Sequence, residues 1–502
     1  MAHRLRQFQR RHGRYLREGD LSELAQDSKA PLSAWRSVAG FFEEFREPTL
    51  PATGDRSCGD LACMLALGKE APNPADGGEV LACLGRCHHA PVRVDRHGEL
   101  HFRDTPNTVI GRCLAPESRL TRPSWEKETD ACVAILGREK NRAAAIRKRL
   151  KAVAGLDRHR KKRGRTLTER WFEVADAKAE QRFLVCHADA GNPGATGSAW
   201  LLQYRAHAVI DGMVLASWLT GAKEGVICVH HDLPEVFTAV EEALSDAIAA
   251  GKLREGQFEI SVIATFGSHV GGEETALLNA IEGKRGEVRI RPPEPETSGV
   301  FGLPTVIETA ETFALLPGWL ASEEDMGHRL VTLTPPFSRP GVVEIDASVS
   351  LRGVSREGTS FLKTKNYPRA LLLGGPFGSV VFSEDWDLRL DAEILAERDF
   401  SPGHWGLAPL PMEADLSVLV RGWLEFAARE NCGKCAPCRL GPLAALEMLD
   451  SHDLRGRHRF REILETIAET SLCGFGRDFP RPLRQLIEKV GIDWIYDGPP
   501  AD

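Results

Sequence analysis

Cysteines late in the chain constrain its fold more than any other feature of the sequence. Cys432, Cys435 and Cys438 have two residues between neighbours, and a fourth cysteine, Cys473, lies in Ser-Leu-Cys-Gly-Phe-Gly. Three thiols in one tight loop fit around one face of a metal cluster, and a distant fourth completes the ligand set typical of a [4Fe-4S] cube. A four-cysteine zinc site uses similar spacings, although zinc favours two separated pairs. The pattern therefore favours the cube.

A second group of cysteines lies early in the chain. Cys58 and Cys63 have four residues between them, and Cys83 and Cys87 have three. Two separated pairs suit a [2Fe-2S] centre, because each iron takes two thiolates, and zinc is again the alternative. The remaining cysteines are scattered and are interpreted as ordinary buried thiols: Cys113, Cys132, Cys186 and Cys228.

Composition narrows the possible functions. The chain of 502 residues is too long for one core, so several domains are expected. Its net charge of -7 argues against bulk nucleic-acid binding. No apolar run approaches the roughly 20 residues of a membrane span, and the first residues lack the apolar core of a signal peptide. We expect a cytoplasmic protein, in which clustered cysteines serve as metal or redox ligands.

The middle of the chain alternates short apolar runs with helical segments. Strands are predicted at 183–186, 225–229 and 258–263, and helices at 207–216 and 235–250. Alternation at this spacing predicts a mostly parallel α/β sheet covered on both faces.

The flanking regions have different patterns. Residues 334–410 are predicted to be rich in β-strands with glycine turns, and the last ninety or so residues are predicted to be helical. The basic run at 158–165 is interpreted as a solvated face or a linker.

The early cysteines lie in a region that resembles a known family. Their spacing, Ala39-Gly40-Phe41-Phe42 before them and Ala90-Pro91-Val92 after them resemble the thioredoxin-like [2Fe-2S] subunit of respiratory NADH dehydrogenase (complex I). Related NAD-linked hydrogenases and formate dehydrogenases share this pattern. The resemblance covers about residues 30–115.

The middle and the end of the chain resemble the NADH-binding flavoprotein (51 kDa-type) subunit of the same enzymes. The loop at 430–439, which carries three cysteines, resembles that family's cluster loop. The other matching segments follow in the family's order: 271–278, 282–286, 291–293, 302–306 and 311–312.

The resemblance implies a multidomain α/β protein, a fusion of the two subunits. It would contain a thioredoxin-like [2Fe-2S] domain, an α/β flavoprotein-like domain, a β-grasp (SLBB) insert and a C-terminal helical bundle with the [4Fe-4S] cluster. The predicted segments, with a charged helical linker as the second, are 1–115, 116–170, 171–333, 334–412 and 413–502. The family's cofactors are FMN and NAD. The matching positions for the flavin site are Asp189, Gly271, Gly272, Glu273 and Glu274.

Two departures from the family pattern lie in loops that would hold the flavin. The family binds FMN with the glycine-rich loop Gly-Arg-Gly-Gly-Ala-Gly-Phe-Pro-Thr-Gly, whose backbone N–H groups can approach a phosphate. Residues 159–168 stand there and contain a single glycine. The family's next strand ends in Asn-Ala-Asp-Glu-Gly-Glu-Pro-Gly, and both of its glutamates are replaced here, by Ala190 and Asn192.

A third departure replaces the family's paired asparagines with Glu308 and Thr309. A carboxylate near the flavin phosphate would repel it. All three changes lie on the cofactor side, while every cluster cysteine is present. We therefore hypothesise that the FMN and NADH site is degraded and that the iron–sulfur half is kept.

The leading interpretation is an iron–sulfur electron-transfer subunit of a larger oxidoreductase. Its partners would be other redox subunits, including a catalytic subunit with its own metal or molybdenum site, as the resemblance implies. One alternative is an active NADH-oxidising flavoprotein, in which FMN splits a hydride into single electrons. Another is a zinc-stabilised interaction protein.

Overall fold

The computed structural model describes residues 118–188, 194–230, 233–265, 269–358, 368–451 and 454–497. It also describes shorter stretches earlier in the chain: 4–5, 8–9, 16–28, 30–41, 56–58, 63, 65–66, 79–81, 86–94, 100–102 and 109–114.

The described strands form three sheets. In chain order they are β1 (Arg56–Cys58), β2 (Glu79–Leu81), β3 (Val92–Val94), β4 (Leu100–Phe102), β5 (Val109–Cys113), β6 (Phe183–Ala188), β7 (Glu224–His230), β8 (Glu259–Thr265), β9 (Thr305–Thr309), β10 (Arg329–Leu333), β11 (Gly341–Ile345), β12 (Ala370–Leu373), β13 (Ser379–Val381) and β14 (Gly406–Leu410).

The described helices lie between and after these strands. They are α1 (Glu18–Ser28), α2 (Leu32–Phe41), α3 (Trp125–Leu136), α4 (Arg142–Ala152), α5 (Leu156–His159), α6 (Leu167–Asp176), α7 (Gly197–Thr220), α8 (Pro234–Ala249), α9 (Glu274–Ile281), α10 (Pro295–Ser298), α11 (Ala310–Ser322), α12 (Leu351–Gly358), α13 (Ala392–Ala396), α14 (Leu416–Glu430), α15 (Ala436–Asp450), α16 (Leu454–Thr470), α17 (Gly474–Asp478), α18 (Pro480–Val490) and α19 (Ile492–Asp497). Short 3-10 segments lie at Cys87–His89, His269–Gly272, Val300–Gly302, Gly375–Phe377 and Ser383–Asp385.

A four-stranded parallel sheet forms the centre of the molecule, in the order β8-β7-β6-β9. Its strands bury side chains alternately on two faces, as the period of two in a strand requires. Leu184 and Cys186 join the core under α7 and α11, whereas Phe183 and Val185 join a second core under α9. The predicted parallel α/β sheet with both faces covered is therefore confirmed.

Two helices cross closely on one face of this sheet. A side-chain carbon added at Gly212 of α7 would lie 1.8 Å from the carbonyl oxygen of Phe313 in α11, so only glycine permits the crossing. Residues 116–170, whose composition indicates a charged linker, add α3 and α4 to the same core. Trp125, Leu136 and Ile146 of these helices are buried there.

The second sheet is six-stranded and mixed, in the order β13-β12-β14-β10-β11-β5. One face has a core of its own, and Ala370, Leu372 and Val380 on the other face join the core of the helical region. β10 lies before the predicted boundary at 333, and β5 comes from the segment predicted as 1–115. The sheet thus takes strands from both sides of the predicted boundaries.

The third sheet is built from the early part of the chain, in the order β2-β1-β3-β4. β1 is parallel to β2 and antiparallel to β3, and β3 is antiparallel to β4.

The end of the chain is helical, as the sequence predicts. The predicted apolar stripe on α14 is buried, including Leu419, Trp423 and Leu424. Phe460 and Leu464 of α16 pack into the same core. Among the described helices, none is both long and apolar enough to cross a membrane.

Candidate cluster sites and cofactor crevice

The late cysteines lie on the loops that lead into α15 and α17, except Cys438, which lies in the first turn of α15. Cys435 and Cys473 directly precede α15 and α17, and Gly433 allows the chain to turn with φ of +77°. Asn431 fixes the first loop: its side chain donates to the carbonyls of Ala427 and Ala428 at 2.9 and 2.8 Å and accepts from the Gly433 N–H at 3.0 Å. The end of α14 thus positions the thiols.

The four thiols surround one shared space. Burial raises the pKa of the Cys438 thiol, and the nearby Cys435, Cys473 and Cys432 raise it further. Burial also raises the pKa of Cys473 to about 11. No described group of three or more cysteine, histidine, aspartate or glutamate side chains is arranged to hold one metal ion. A cube spreads its ligands more widely, because each thiolate binds a different iron atom.

Close packing defines one wall of this space. A side-chain carbon at Gly476 would lie 2.2 Å from the Ser471 hydroxyl and 3.2 Å from the Cys438 Cβ. Glycine is therefore required there, which keeps α17 close to the thiol loop.

The early cysteines are also brought together where the structure describes them. Cys58, Cys63 and Cys87 are 2%, 1% and 2% exposed and pack in one small core. Cys58 ends β1 and Cys87 begins a 3-10 turn. The fourth predicted ligand, Cys83, lies outside the described residues.

The described flavin-site residues, Gly271 to Glu274, come after the carboxyl end of β8, and open α/β sheets bind ligands at this edge. Gly271 and Gly272 belong to a 3-10 turn, and Glu273 follows as the N-cap of α9. Glu273 accepts from the Ala276 N–H at 3.0 Å and from Arg291 at 2.5 Å. Asp189 lies outside the described residues, as do Ala190 and Asn192.

A buried ion network lies at the end of β9. Glu308 is 2% exposed and accepts from Arg170 at 2.5 Å and from the Trp171 indole at 3.1 Å. The Lys162 ammonium lies 3.1 Å from the other oxygen of Glu308 and 3.2 Å from Glu274. It also donates to the Ile307 carbonyl at 2.8 Å. Thus Lys162, from the loop that should be rich in glycine, pairs directly with the glutamate that replaces an asparagine.

The charges in this network stabilise one another. Burial acts to raise the pKa of Glu308, but Arg170 and Lys162 outweigh it and lower the pKa to about 2. The pKa of Glu274 is also lowered, because Lys162 and Arg291 outweigh the effect of burial. Burial, helped by the charge of Lys162, lowers the pKa of His187 to about 4, so this imidazole is neutral at pH 7.

The loop that carries Lys162 is a tight hairpin. The backbones of Lys162 and Arg165 exchange hydrogen bonds of 2.9 and 3.0 Å, and Arg163 and Gly164 between them have φ of +53° and +76°. Arg165 lies 3.4 Å from Glu296, and Arg163 lies 3.9 Å from Glu294.

The interpretation of this basic run as a solvated face is only partly correct. Arg158, Lys161 and Arg163 are 51%, 45% and 44% exposed, whereas other cations of the run pair with buried carboxylates. Arg160, for example, bonds the buried Asp325 at 3.0 Å. Sequence reasoning also missed the roles of Lys162, Arg170 and His187. The available signal was that a new glutamate and new cations appear together in one predicted site.

Thr309, the other substituted asparagine position, has a structural task. Its hydroxyl accepts from the Thr312 N–H at 3.3 Å and caps α11.

The residues from Gly271 to Glu274 and the ion network of Glu308 together form a crevice, and this crevice is adjacent to the late cysteines. Arg285 donates to the Cys432 carbonyl at 3.3 Å, and the His269 N–H donates to Glu430 at 3.1 Å. A cavity of about 310 Å³ lies between them, lined by Gly272, Glu273 and Phe475 among others. His269 and Phe377 also line this cavity, and their rings are stacked with 4.1 Å between centroids.

Comparison with known proteins agrees with this architecture. Residues 166–317 match the family model of the Nuo51 FMN-binding domain, and residues 418–493 match that of the NADH-ubiquinone oxidoreductase-F iron-sulfur binding region. The first match begins directly after the basic hairpin. The chain therefore contains an FMN-binding-type domain and a [4Fe-4S]-binding region.

Two curated relatives illustrate the similarity. The NADP-reducing hydrogenase subunit HndC of Solidesulfovibrio fructosivorans is 30% identical over 347 residues, which are 65% of this chain and 70% of the relative. The NADH-quinone oxidoreductase-F subunit of Aquifex aeolicus is 29% identical over 345 residues, covering 62% of this chain and 77% of the relative.

A solved structure shares the fold. A chain of an NAD+-reducing [NiFe]-hydrogenase in the H2-reduced state superposes with a TM-score of 0.78 at 21% identity, covering 100% of this chain and 94% of that chain. Given the family models and the sequence relatives, the chain belongs to the family of NADH-quinone oxidoreductase-F subunits and the corresponding subunits of NAD(P)-reducing hydrogenases.

Proposed function

We propose that this chain is an iron–sulfur electron-transfer subunit of a larger oxidoreductase, and that its crevice no longer holds FMN or NADH. The observation that carries the proposal is the burial of Glu308 between Arg170 and Lys162. Both carboxylate oxygens of Glu308 are already paired with cations, so a flavin phosphate would have to displace a buried carboxylate from Arg170 and Lys162.

The hairpin at residues 162–165 supports the same conclusion. A phosphate cradle needs several backbone N–H groups free to point at the ligand. Here the N–H groups of Lys162 and Arg165 bond each other's carbonyls, and the side chains of Lys162 and Arg165 are directed at glutamates. The residues present therefore do not fit a phosphate, and we derive no hydride or flavin step for this chain.

The thiols supply the proposed redox centres. Iron–sulfur clusters pass single electrons, and the residues around them adjust their potentials through hydrogen bonds and burial. The proposed [2Fe-2S] ligands are Cys58, Cys63, Cys83 and Cys87. The proposed [4Fe-4S] ligands are Cys432, Cys435, Cys438 and Cys473.

Two finer domain assignments belong to this proposal. The mixed order β2-β1-β3-β4 supports a thioredoxin-like [2Fe-2S] domain. The sheet that contains β10 to β14 supports a β-grasp (SLBB) insert between the parallel sheet and the helical region. A reducing compartment such as the cytoplasm would suit the proposed thiolate ligands.

Partner subunits follow from the relatives' names. Both curated relatives are named as subunits of an oxidoreductase or a hydrogenase. We propose that this chain likewise works with other redox subunits, including one with a catalytic metal or molybdenum site.

The decisive experiment measures iron, acid-labile sulfide, zinc and flavin per chain in the full protein isolated without oxygen. We expect iron and sulfide for one [2Fe-2S] and one [4Fe-4S] centre, with far less than one flavin per chain. Stoichiometric FMN would contradict the loss of the flavin site. Zinc without iron and sulfide would contradict the redox proposal and favour the zinc-stabilised interaction protein.

A second candidate function is an active NADH-oxidising FMN flavoprotein. It is favoured by the match of residues 166–317 to an FMN-binding domain and by the cavity of about 310 Å³ beside Gly272 and Glu273. NADH-dependent dye reduction tests it. Turnover by the purified chain that requires bound FMN would favour this candidate over the first.

A further inference from the structure

We propose that the parallel-sheet region supplies a hydrogen bond to the [2Fe-2S] centre and thereby sets its reduction potential. The donor is the backbone N–H of Gly194, and the acceptor is the sulfur of Cys87, 3.1 Å away. This inference rests on the proposed role of Cys87 as a cluster ligand. Gly194 is a positioning residue, since it acts on the cluster through that ligand.

The bond lies in a dry environment. Cys87 is 2% exposed and packs with Cys58 and Cys63. A hydrogen bond to sulfur is electrostatically stronger away from water, because solvent does not screen it. The described thiols therefore fit a buried cluster whose charge is sensitive to one nearby N–H dipole.

The conformation of Gly194 holds the N–H in place. Its φ is +84°, a left-handed conformation that glycine adopts without strain. A side-chain carbon there would lie 3.3 Å from the His404 ring and 3.7 Å from the Cα of Gly406 in β14. A side chain at this position would therefore strain the backbone that presents the N–H to Cys87.

An ion pair beside the bond joins the same two parts of the chain. Arg86, directly before Cys87, lies 2.8 and 3.0 Å from the two carboxylate oxygens of Glu235. Glu235 lies in the first turn of α8. The hydrogen bond and the ion pair therefore both fasten the turn that carries Cys87 to the parallel-sheet region.

The electrostatic consequence has a definite sign. Reduction adds an electron to the cluster, and an N–H dipole aimed at a ligand sulfur stabilises that extra negative charge. Loss of the Gly194 bond should therefore make the reduction potential more negative.

The test is an EPR-monitored redox titration of the full-length, cluster-loaded protein. Gly194→Ala should shift the [2Fe-2S] midpoint potential to a more negative value and leave that of the [4Fe-4S] centre unchanged. Gly256→Ala is the matched control, since Gly256 also has a positive φ, of +72°, but no atom within 4 Å of an added side-chain carbon. The control should leave both potentials unchanged.

Glu235→Asp is a second variant that leaves the backbone at Gly194 unaltered and keeps the negative charge. Its shorter side chain should weaken the contact with Arg86 and loosen the turn at Cys87, so the potential should again become more negative. Glu241→Asp, an exposed position on the same helix, is its control.

Each outcome decides the inference. An intact [2Fe-2S] signal with an unshifted or more positive potential in Glu235→Asp would overturn it, as would an unshifted or more positive potential in Gly194→Ala. If Gly194→Ala does not assemble the cluster, Glu235→Asp decides alone. A parent protein without any [2Fe-2S] signal would instead contradict the proposed function.

Discussion

The crevice at the end of the parallel strands and the loop of late cysteines lie side by side but differ from the family pattern in opposite ways. In the crevice, residues 159–168 contain one glycine where the family pattern has a glycine-rich loop, and Glu308 pairs with Arg170 and Lys162. The loop at 430–439 carries three of the four thiols and is held by the Asn431 contacts, and Cys473 approaches from a second loop. One region thus holds a buried ion network, while the other brings four thiols together around one space.

The pairing shows why the crevice residues belong together. A lone buried carboxylate is costly, and so is a lone buried cation. Glu308 is compatible with burial because it pairs with Arg170 and Lys162. These two cations lie on a helix and a neighbouring hairpin, both far from Glu308 in sequence. The substitutions therefore form a mutually stabilising set.

The largest expected effect concerns the cysteine loop. Cys435→Ser should abolish the [4Fe-4S] EPR signal and spare the [2Fe-2S] signal, because the two thiol groups lie in different parts of the fold. Cys113→Ser, which changes a partly exposed thiol in β5, should leave both signals intact. Loss of both signals in Cys435→Ser would refute the independence of the two sites.

The next effect concerns the crevice. Glu308→Gln should destabilise the folded protein by about 3–5 kcal/mol, because it leaves the buried Arg170 without a full counter-charge. Scanning calorimetry of the cluster-loaded protein measures the change. A destabilisation of only a few tenths of a kcal/mol would show that the network contributes little.

The double substitution Glu308→Asn/Thr309→Asn restores the family's paired asparagines and serves as a flavin test. Equilibrium dialysis of this variant with FMN reports whether these two substitutions alone exclude FMN.

Acid should weaken the crevice by protonating Glu308. The pKa of Glu308 is about 2 when folded, below its ordinary value of 4.5, so its stabilising effect is present above pH 4.5 and is lost as pH falls towards 2. That effect amounts to about 3 kcal/mol. Thermal unfolding followed between pH 5 and pH 3 should show a steeper loss of stability for the parent than for Glu308→Gln. The pKa of Glu344 is also lowered to about 2, but its pH-dependent contribution to stability is the same in both proteins and cancels in the comparison. Equal slopes would contradict the assignment.

The smallest effect concerns the support of the cysteine loop. Asn431→Ala removes three hydrogen bonds and should cost about 1 kcal/mol, with faster loss of the [4Fe-4S] absorption in the presence of an iron chelator. Asn431→Asp keeps the acceptor for the Gly433 N–H, and we expect an intermediate rate. If both variants lose iron at the parent's rate, the side chain does not support the cluster.

The sequence alone predicts those parts of the fold that depend on local patterns of apolar residues. The apolar runs that became β6, β7 and β8 and the stripe on α14 were readable because burial has a period along the chain. The contact of Arg170 with Glu308 could not be predicted, because 138 positions separate the two residues and a single sequence does not show which distant residues are in contact. For the same reason, the pairing of β5 with β11 and the bond from Gly194 to Cys87 required the structure.

The edge strand β5 has a consequence for synthesis of the chain. It pairs in parallel with β11, whose first residue follows about 230 residues later than Val109. At 5–20 residues per second, a ribosome takes roughly ten to fifty seconds to supply that partner. During this interval β5, which follows the early cysteines, has no β11 to pair with. The early segment therefore completes its fold only after most of the chain has been made.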